Sequence, residues 1–220
     1  MSRIGRDGDL AARLREVVAR PLEGWREVYE SFSPLDLETG ERPPRVPEPG
    51  EDCRRAAVLV PVVLEPGGAH VVYTLRTGGL EDHAGQVSFP GGSLEARDGS
   101  LLATALREAE EEINLRPDTV EIVGEMEEMY IPPSRFLVRP FVGLLAEEAE
   151  LVLAPDEVEA IFSVSLEELM SPEAFEKAIW EREGRPHEVP IFAVGGHEIW
   201  GATAAMTAGL LTRLGWRPEE

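Results

Sequence analysis

Two apolar runs rich in β-branched residues, 56–64 and 70–76, flank the break Glu65-Pro66-Gly67-Gly68-Ala69. This pattern predicts two strands joined by a hairpin, because Pro presets one turn dihedral and Gly supplies backbone conformations that other residues avoid. Further on, Leu102, Ala105, Leu106, Ala109 and Ile113 recur at helical spacing. They predict an amphipathic helix over 100–115, closed by Pro117. Three more apolar segments, 120–126, 137–145 and 159–164, read as strands that extend or flank the first pair. Residues 177–200 alternate in a way that predicts another hairpin around 184–186 and Gly195-Gly196, and 202–214 predicts a last helix burying Met206, Leu210 and Leu214. Strands interleaved with helices make the expected class α+β, an α/β/α sandwich with a mixed sheet between helices.

Upstream, Leu10, Leu14, Val17 and Val18 lie near helical spacing, and the pattern breaks at Pro21 before resuming through Trp25 and Val28. Two short helices are expected over 8–31. Residues 33–52 carry Pro34, Pro43, Pro44, Pro47 and Pro49 among many charges, the composition of an extended connector that wraps a core rather than forming one. The expected organisation is therefore 1–52 as helices and a Pro-rich connector packed on a single domain spanning 53–220.

Acidic residues number 42 against 21 basic ones, a formal net charge of −21. This argues against nucleic acid, whose binding depends on Lys and Arg, and against anionic membrane surfaces. The longest apolar run, 56–64, is far short of the roughly 20 residues that a membrane-crossing helix needs. The first residues mix charged with apolar positions and lack the apolar core of a secretion signal, and Cys53 has no second cysteine to pair with. A cytoplasmic address is expected. A phosphate ligand would be repelled by so acidic a chain unless a bound divalent cation offset the charge locally.

The stretch that carries chemistry reads Gly91-Gly92-Ser93-Leu94-Glu95-Ala96-Arg97-Asp98, then Arg107-Glu108-Ala109-Glu110-Glu111-Glu112-Ile113-Asn114-Leu115. At about 100° per residue, Glu112 lies about 40° and Glu111 about 60° from Glu108, on either side of it, while Glu110 points away. The apolar stripe is adjacent, so this acidic triplet is expected at the edge of the core, facing the sheet. Glu108 and Glu112 could supply the one or two carboxylates that Mg²⁺ commonly takes, and Glu111 could complete the shell or activate water. Gly91 and Gly92 would let backbone N–H groups approach a substrate closely. The plainer reading of the same residues is a solvated acidic helix with Arg107 and Glu111 paired at four-residue spacing.

These residues resemble the Nudix box, usually Gly, five residues, Glu, seven residues, then Arg-Glu-apolar-x-Glu-Glu-x-Gly-apolar. The second half, 107–115, is similar throughout except that Asn114 replaces Gly. In the first half Asp98 stands where Glu is usual, and eight residues separate it from Arg107. Both departures resemble a Nudix subgroup that hydrolyses coenzyme A, whose box follows Leu-x-x-His-x-Gly-Gln-Val-x-Phe-Pro-Gly-Gly. Here the chain reads Leu80-Glu81-Asp82-His83-Ala84-Gly85-Gln86-Val87-Ser88-Phe89-Pro90-Gly91-Gly92. Arg76 and Trp200-Gly201-Ala202-Thr203-Ala204 extend the likeness, which spans roughly 56–214.

The resemblance implies a Nudix hydrolase domain over 53–220 that uses Mg²⁺ or Mn²⁺ to cleave a small-molecule diphosphate. Coenzyme A or acyl-CoA would be the substrate, with 3′,5′-ADP and 4′-phosphopantetheine as products. It implies Glu108, Glu112 and Glu111 as metal ligands, with Glu111 alternatively the base, and Arg107 orienting the glutamates. Arg76, Gly91 and Gly92 would contact substrate, and His83 could touch a phosphate or metal, although an imidazole in a loop is more often a hydrogen-bonding scaffold. Glu81 stands where the subgroup usually carries a basic residue. It keeps open ADP-ribose, another nucleoside diphosphate derivative or a nucleoside triphosphate, and a non-catalytic Nudix-fold binding module is a third reading. The sequence is compatible with a monomer or a homodimer. Arg135 and Arg139 could contact phosphate but are expected to pair with surface acids. One of Glu125, Glu127 and Glu128 could be the base if Glu111 is only a ligand. Trp180, Trp200 and Trp216 are expected to be packing residues.

Overall fold

The computed structural model describes residues 7–77, 85–146, 150–182 and 184–217. The chain begins with helices α1 (Asp7–Val18) and α2 (Trp25–Ser31), then strands β1 (Leu35–Asp36), β2 (Arg54–Glu65), β3 (Gly68–Arg76), β4 (Val87–Ser88) and β5 (Gly91–Ser93). Helix α3 (Leu101–Ile113) follows, then strands β6 (Glu121–Glu125), β7 (Met129–Ile131), β8 (Phe136–Ala146) and β9 (Val158–Ser165). The last elements are the short helix α4 (Leu166–Leu169), strands β10 (Phe175–Arg182), β11 (Arg185–Val194) and β12 (His197–Trp200), and helix α5 (Gly201–Arg213).

Strand β2 is the axis of an eight-stranded mixed sheet. It pairs antiparallel with β3 across the expected hairpin, and parallel with β8 over 54–64 against 136–146. A parallel pair needs a crossover rather than a tight turn, and the chain between β2 and β8 includes α3. Side chains on β2 alternate between two cores. Ala57, Leu59 and Val63, with Phe141 and Leu145 of β8, pack against Ala105, Ala109 and Ile113 of α3. On the other face Val60 and Val62 join Leu14 and Val18 of α1, Tyr29 of α2, and Leu210 and Leu211 of α5. Burial on both faces explains why β2 and β8 read as nearly continuous apolar runs rather than as alternating ones. The mixed α+β layering matches the expectation.

A second sheet consists of β10, β11 and β12 in sequence, with β1 added beside β11 through Leu35↔Glu188. The connector over 33–52 thus contributes a two-residue strand. Residues 85–93 hold two further short strands, β4 and β5, that the sequence pattern does not predict. Each forms only two or three residue pairs, too few to leave a periodic signal. Among the described residues no helix is long and apolar enough to cross a membrane.

Leu14 is fully buried and shares its core with the central sheet. Leu14→Ala is therefore expected to lower the stability of the whole chain by about 3 kcal/mol, seen as one shifted urea transition in tryptophan fluorescence. An unchanged main transition would mean that α1 is an appendage rather than part of the core.

Candidate functional site

Helix α3 is fixed at both ends by its own sequence. Ser100 caps the start, its Oγ accepting from the Ala103 N–H at 3.1 Å. At the other end Asn114 takes a left-handed backbone conformation, φ 54°, and the Leu115 N–H donates back to the Ala109 carbonyl at 3.2 Å. Asn is the residue after Gly that best tolerates this conformation, so the substitution within the box keeps the helix stop.

The floor beneath α3 is thin. Gly91 and Gly92 form β5, paired against Val58 and Ala57 of β2. A Cβ on Gly91 would overlap the Ala57 carbonyl and the Val58 backbone, and one on Gly92 would overlap the Glu108 carboxylate. Both glycines are required for close approach, and their φ angles are not positive. The Gly91 N–H also faces the Glu112 carboxyl, and Gly92 leaves room for Glu108 to lie directly over the strand.

Arg107 ties the loop before α3 to the helix. Its Nε and Nη2 each donate at 2.9 Å to one oxygen of Asp98, and Nη2 also donates to the Ser93 carbonyl at 3.2 Å. Nη1 donates at 2.9 Å both to Glu108 Oε1 and to Glu111 Oε2. Asp98 further accepts from the Glu95 N–H and the Thr104 hydroxyl. The guanidinium hydrogen bonds, with that of the Glu95 amide, hold the Asp98 carboxyl well below the usual carboxylate range. Asp98, despite its shorter side chain and the extra residue in the spacing, makes a two-pronged contact with Arg107.

The three glutamates do not share one environment. Glu112 is almost fully buried, and its Oε2 has no hydrogen-bond partner. Burial pushes its pKa up to about 8, opposed by Arg76, whose Nη1 stands 3.6 Å from Oε1. Glu108 is largely buried and is also raised, mainly by burial and against the pull of Arg107. Glu111 is turned outward, 45% exposed, between Arg107 and Arg97, which lies 3.1 Å from its Oε1. The expected convergence of all three is therefore only partly realised: Arg107 bridges Glu111 to Glu108, while Arg97 holds the other oxygen of Glu111 on the exposed side. Among the described residues no three His, Cys, Asp or Glu side chains are grouped closely enough to hold a metal ion alone. Glu108 and Glu112 nonetheless suit a hard divalent cation. They offer two desolvated carboxylates, one with an orphaned oxygen, and Mg²⁺ usually takes its remaining oxygens from water and phosphate.

Arg76 lies beside Glu112, and its Nε is buried without a partner. His83 and Glu81 lie outside the described residues. Arg139 pairs with Glu125 and Glu128, and Arg135 with Glu51, as expected of arginines in so acidic a chain. Glu127 is held by the Leu22 N–H and by Arg213. Trp180 and Trp200 pack edge to face at 5.1 Å, and Trp216 is buried among Phe32, Phe175 and Phe192. The two outlying segments of the likeness meet, because the Thr203 hydroxyl donates to the Val87 carbonyl at 3.0 Å.

Sequence reasoning missed Glu157, whose charge raises both Glu108 and Glu112. It is brought there by backbone bonds: Ala154 N–H to the Glu112 carbonyl at 2.9 Å and Thr77 N–H to the Glu157 carbonyl at 3.1 Å. Nothing local distinguishes it from the other acids of the chain.

Residues 54–186 match the family model of the NUDIX domain. The chain is 38% identical over 164 residues to an uncharacterised Nudix hydrolase NudL of Photorhabdus laumondii, covering 74% of this chain and 87% of that protein. It is 36% identical over 169 residues to the uncharacterised NudL of Klebsiella pneumoniae, covering 75% of this chain and 85% of that protein.

The buried carboxyl of Glu112 makes a signed prediction for the metal-free protein. An ordinary unfolded glutamate loses its proton near 4.5, whereas the folded one holds it to about 8. Folding therefore takes up a proton between those values, and this group makes stability fall as pH rises across that window and level off above it. Glu112→Gln should remove that slope and raise the metal-free melting temperature at pH 8 by at least about 2 °C in thermal denaturation. A lower melting temperature for the variant would contradict the burial argument.

Proposed function

The chain belongs to the Nudix hydrolase family and acts on diphosphate bonds, and on that premise we propose that its substrate is coenzyme A or an acyl-CoA. Water adds to one phosphorus and the bridging P–O bond breaks, which gives 3′,5′-ADP and 4′-phosphopantetheine or its acyl derivative. The observation that carries the metal-dependent part is Glu112, a buried carboxylate with an oxygen left unpaired beside a second desolvated carboxylate. Nudix hydrolases generally use divalent metal ions, and burial of two acids at a stability cost is the arrangement such an ion would reward.

Glu108 and Glu112 would hold Mg²⁺ or Mn²⁺. When bound, the cation supplies charge neutralisation at the phosphate oxygens and makes a coordinated water more acidic. Glu111, the most exposed of the three, is assigned to further ligation or to taking a proton from the attacking water. Arg107 is a positioning residue, since it touches both Glu108 and Glu111 and anchors them to Asp98. Arg76, beside Glu112, and His83 are assigned to the substrate's phosphates. Gly91 and Gly92 keep the floor thin enough for the diphosphate to approach Glu108. Support for coenzyme A comes from the 80–92 segment and from the eight-residue spacing, whose extra residue still lets Asp98 reach Arg107. The lone Cys53 fits a cytoplasmic site of action.

A second reading keeps the chemistry and replaces the substrate by ADP-ribose or another nucleoside diphosphate derivative. It is favoured by Glu81, an acid where the subgroup carries a base.

Incubation of the purified protein with coenzyme A, ADP-ribose and nucleoside triphosphates, with and without Mg²⁺, followed by mass identification of products, is expected to give Mg²⁺-dependent 3′,5′-ADP from coenzyme A. Glu108→Gln and Glu112→Gln should each lower kcat at least about 100-fold. Turnover of ADP-ribose alone would overturn the substrate assignment, and turnover that survives both substitutions would overturn the site.

A further inference from the structure

Strand β10 lies at the edge of the second sheet. One side of it pairs with β11, over 175–182 against 185–192, and among the described residues no strand pairs with the other side. It is eight residues long and carries no proline, so the alternate N–H and C=O groups of its outer edge are open to another strand. At its centre stands Ile179, 62% exposed, more than any other large apolar side chain among the described residues.

The charges along β10 decide what fits this edge. When two copies of one strand pair antiparallel, the residue on the two-fold axis faces its own counterpart, and residues equally far on either side face each other. With Ile179 on the axis, Glu176 faces Arg182 of the second copy and Lys177 faces its Glu181, and symmetry forms each pair twice. Every charged side chain of the strand then opposes one of the other sign. Neighbouring registers lose this match. Ala178 on the axis sets Lys177 against Ile179 and Glu176 against Trp180, whereas Trp180 on the axis sets Ile179 against Glu181 and Ala178 against Arg182. The central register also lays Ile179 on Ile179, which takes the exposed apolar side chain out of water.

Within one chain these charges are mostly unused. Among the described residues Glu176, Glu181 and Arg182 make no ion pair, and the Arg182 guanidinium lies over the Trp200 ring at 5.9 Å. Lys177 stands 3.7 Å from Glu188, which Arg42 also approaches at 3.8 Å, so Glu188 keeps a counter-charge when Lys177 turns to a second copy. A different protein would have to carry the same alternation of signs around an apolar centre; a second copy of this chain carries it already.

We propose that β10 is a homodimerisation edge, at which two copies of the chain join antiparallel about Ile179 and continue the second sheet from one to the other. An eight-residue edge is small beside the roughly 1,200 Å² buried by stable complexes, so the dimer forms reversibly with rising concentration. None of the residues involved belongs to the candidate diphosphatase site, and the substrate assignment does not bear on it.

Sedimentation velocity of the whole chain is the direct test, at about 0.15 M salt, where repulsion between the net charges is screened beyond about 8 Å. A monomer–dimer equilibrium is expected on raising the protein concentration. Ile179→Lys, which sets like charges on the axis, and Arg182→Glu, which sets a glutamate against Glu176, should each weaken the dimer at least about tenfold. Arg182→Glu leaves the chain's own hairpin favoured, since residue 182 lies across from Arg185. Adding Glu176→Arg to Arg182→Glu exchanges the two signs and should restore association to within about threefold of wild type. That recovery separates lost pairing from misfolding. A wild type that stays monomeric at every concentration overturns the dimer, and a dimer indifferent to Ile179→Lys and Arg182→Glu overturns its placement on β10. Weakening by Arg182→Glu that the double substitution fails to reverse overturns the register about Ile179.

Discussion

The guanidinium of Arg107 is the interaction on which the arrangement of the site depends. It reaches backward to Asp98 and the Ser93 carbonyl and sideways to Glu108 and Glu111, so one planar group fixes the loop, the helix and two of its acids. Without a cation there, desolvated carboxylates on adjacent turns would repel one another and splay toward water. Glu111, which Arg97 also holds, stays on the exposed side, while Glu112, which Arg107 does not touch, is buried.

Burial supplies the rest. The central sheet is covered on both faces, and α3 can lie close to it because Ala105 and Ala109 are small and β5 has no side chain under Glu108. That closeness removes water from Glu108 and Glu112 and raises both. Two acids are thus kept in a costly state by packing, and a divalent cation bound between them would relieve that cost. In a chain of net charge −21 this local device is also what would let an anionic substrate approach.

The elements legible in the sequence were those with a period. Strands β2, β3, β8 and β9 and helices α3 and α5 fall within a few residues of their expected limits, because each buries a regular apolar set. Strands β4, β5 and β7 were not legible, being two or three residues long and specified by backbone pairing to neighbours distant in sequence. The candidate acids were legible from helical projection and from the likeness to the Nudix box. Projection places Glu108, Glu111 and Glu112 on one side but says nothing of Arg97, which comes from the preceding loop and turns Glu111. Glu157 is illegible for a related reason: it acquires its meaning only from contacts made far along the chain.

Direct binding of Mn²⁺, followed by electron paramagnetic resonance, addresses the central claim that Glu108 and Glu112 form the cation-holding pair. The account predicts a bound ion in the wild type, a markedly weakened one in Glu108→Gln and Glu112→Gln, and a smaller change in Glu111→Gln. Bound Mn²⁺ that is indifferent to both Glu108→Gln and Glu112→Gln would contradict it.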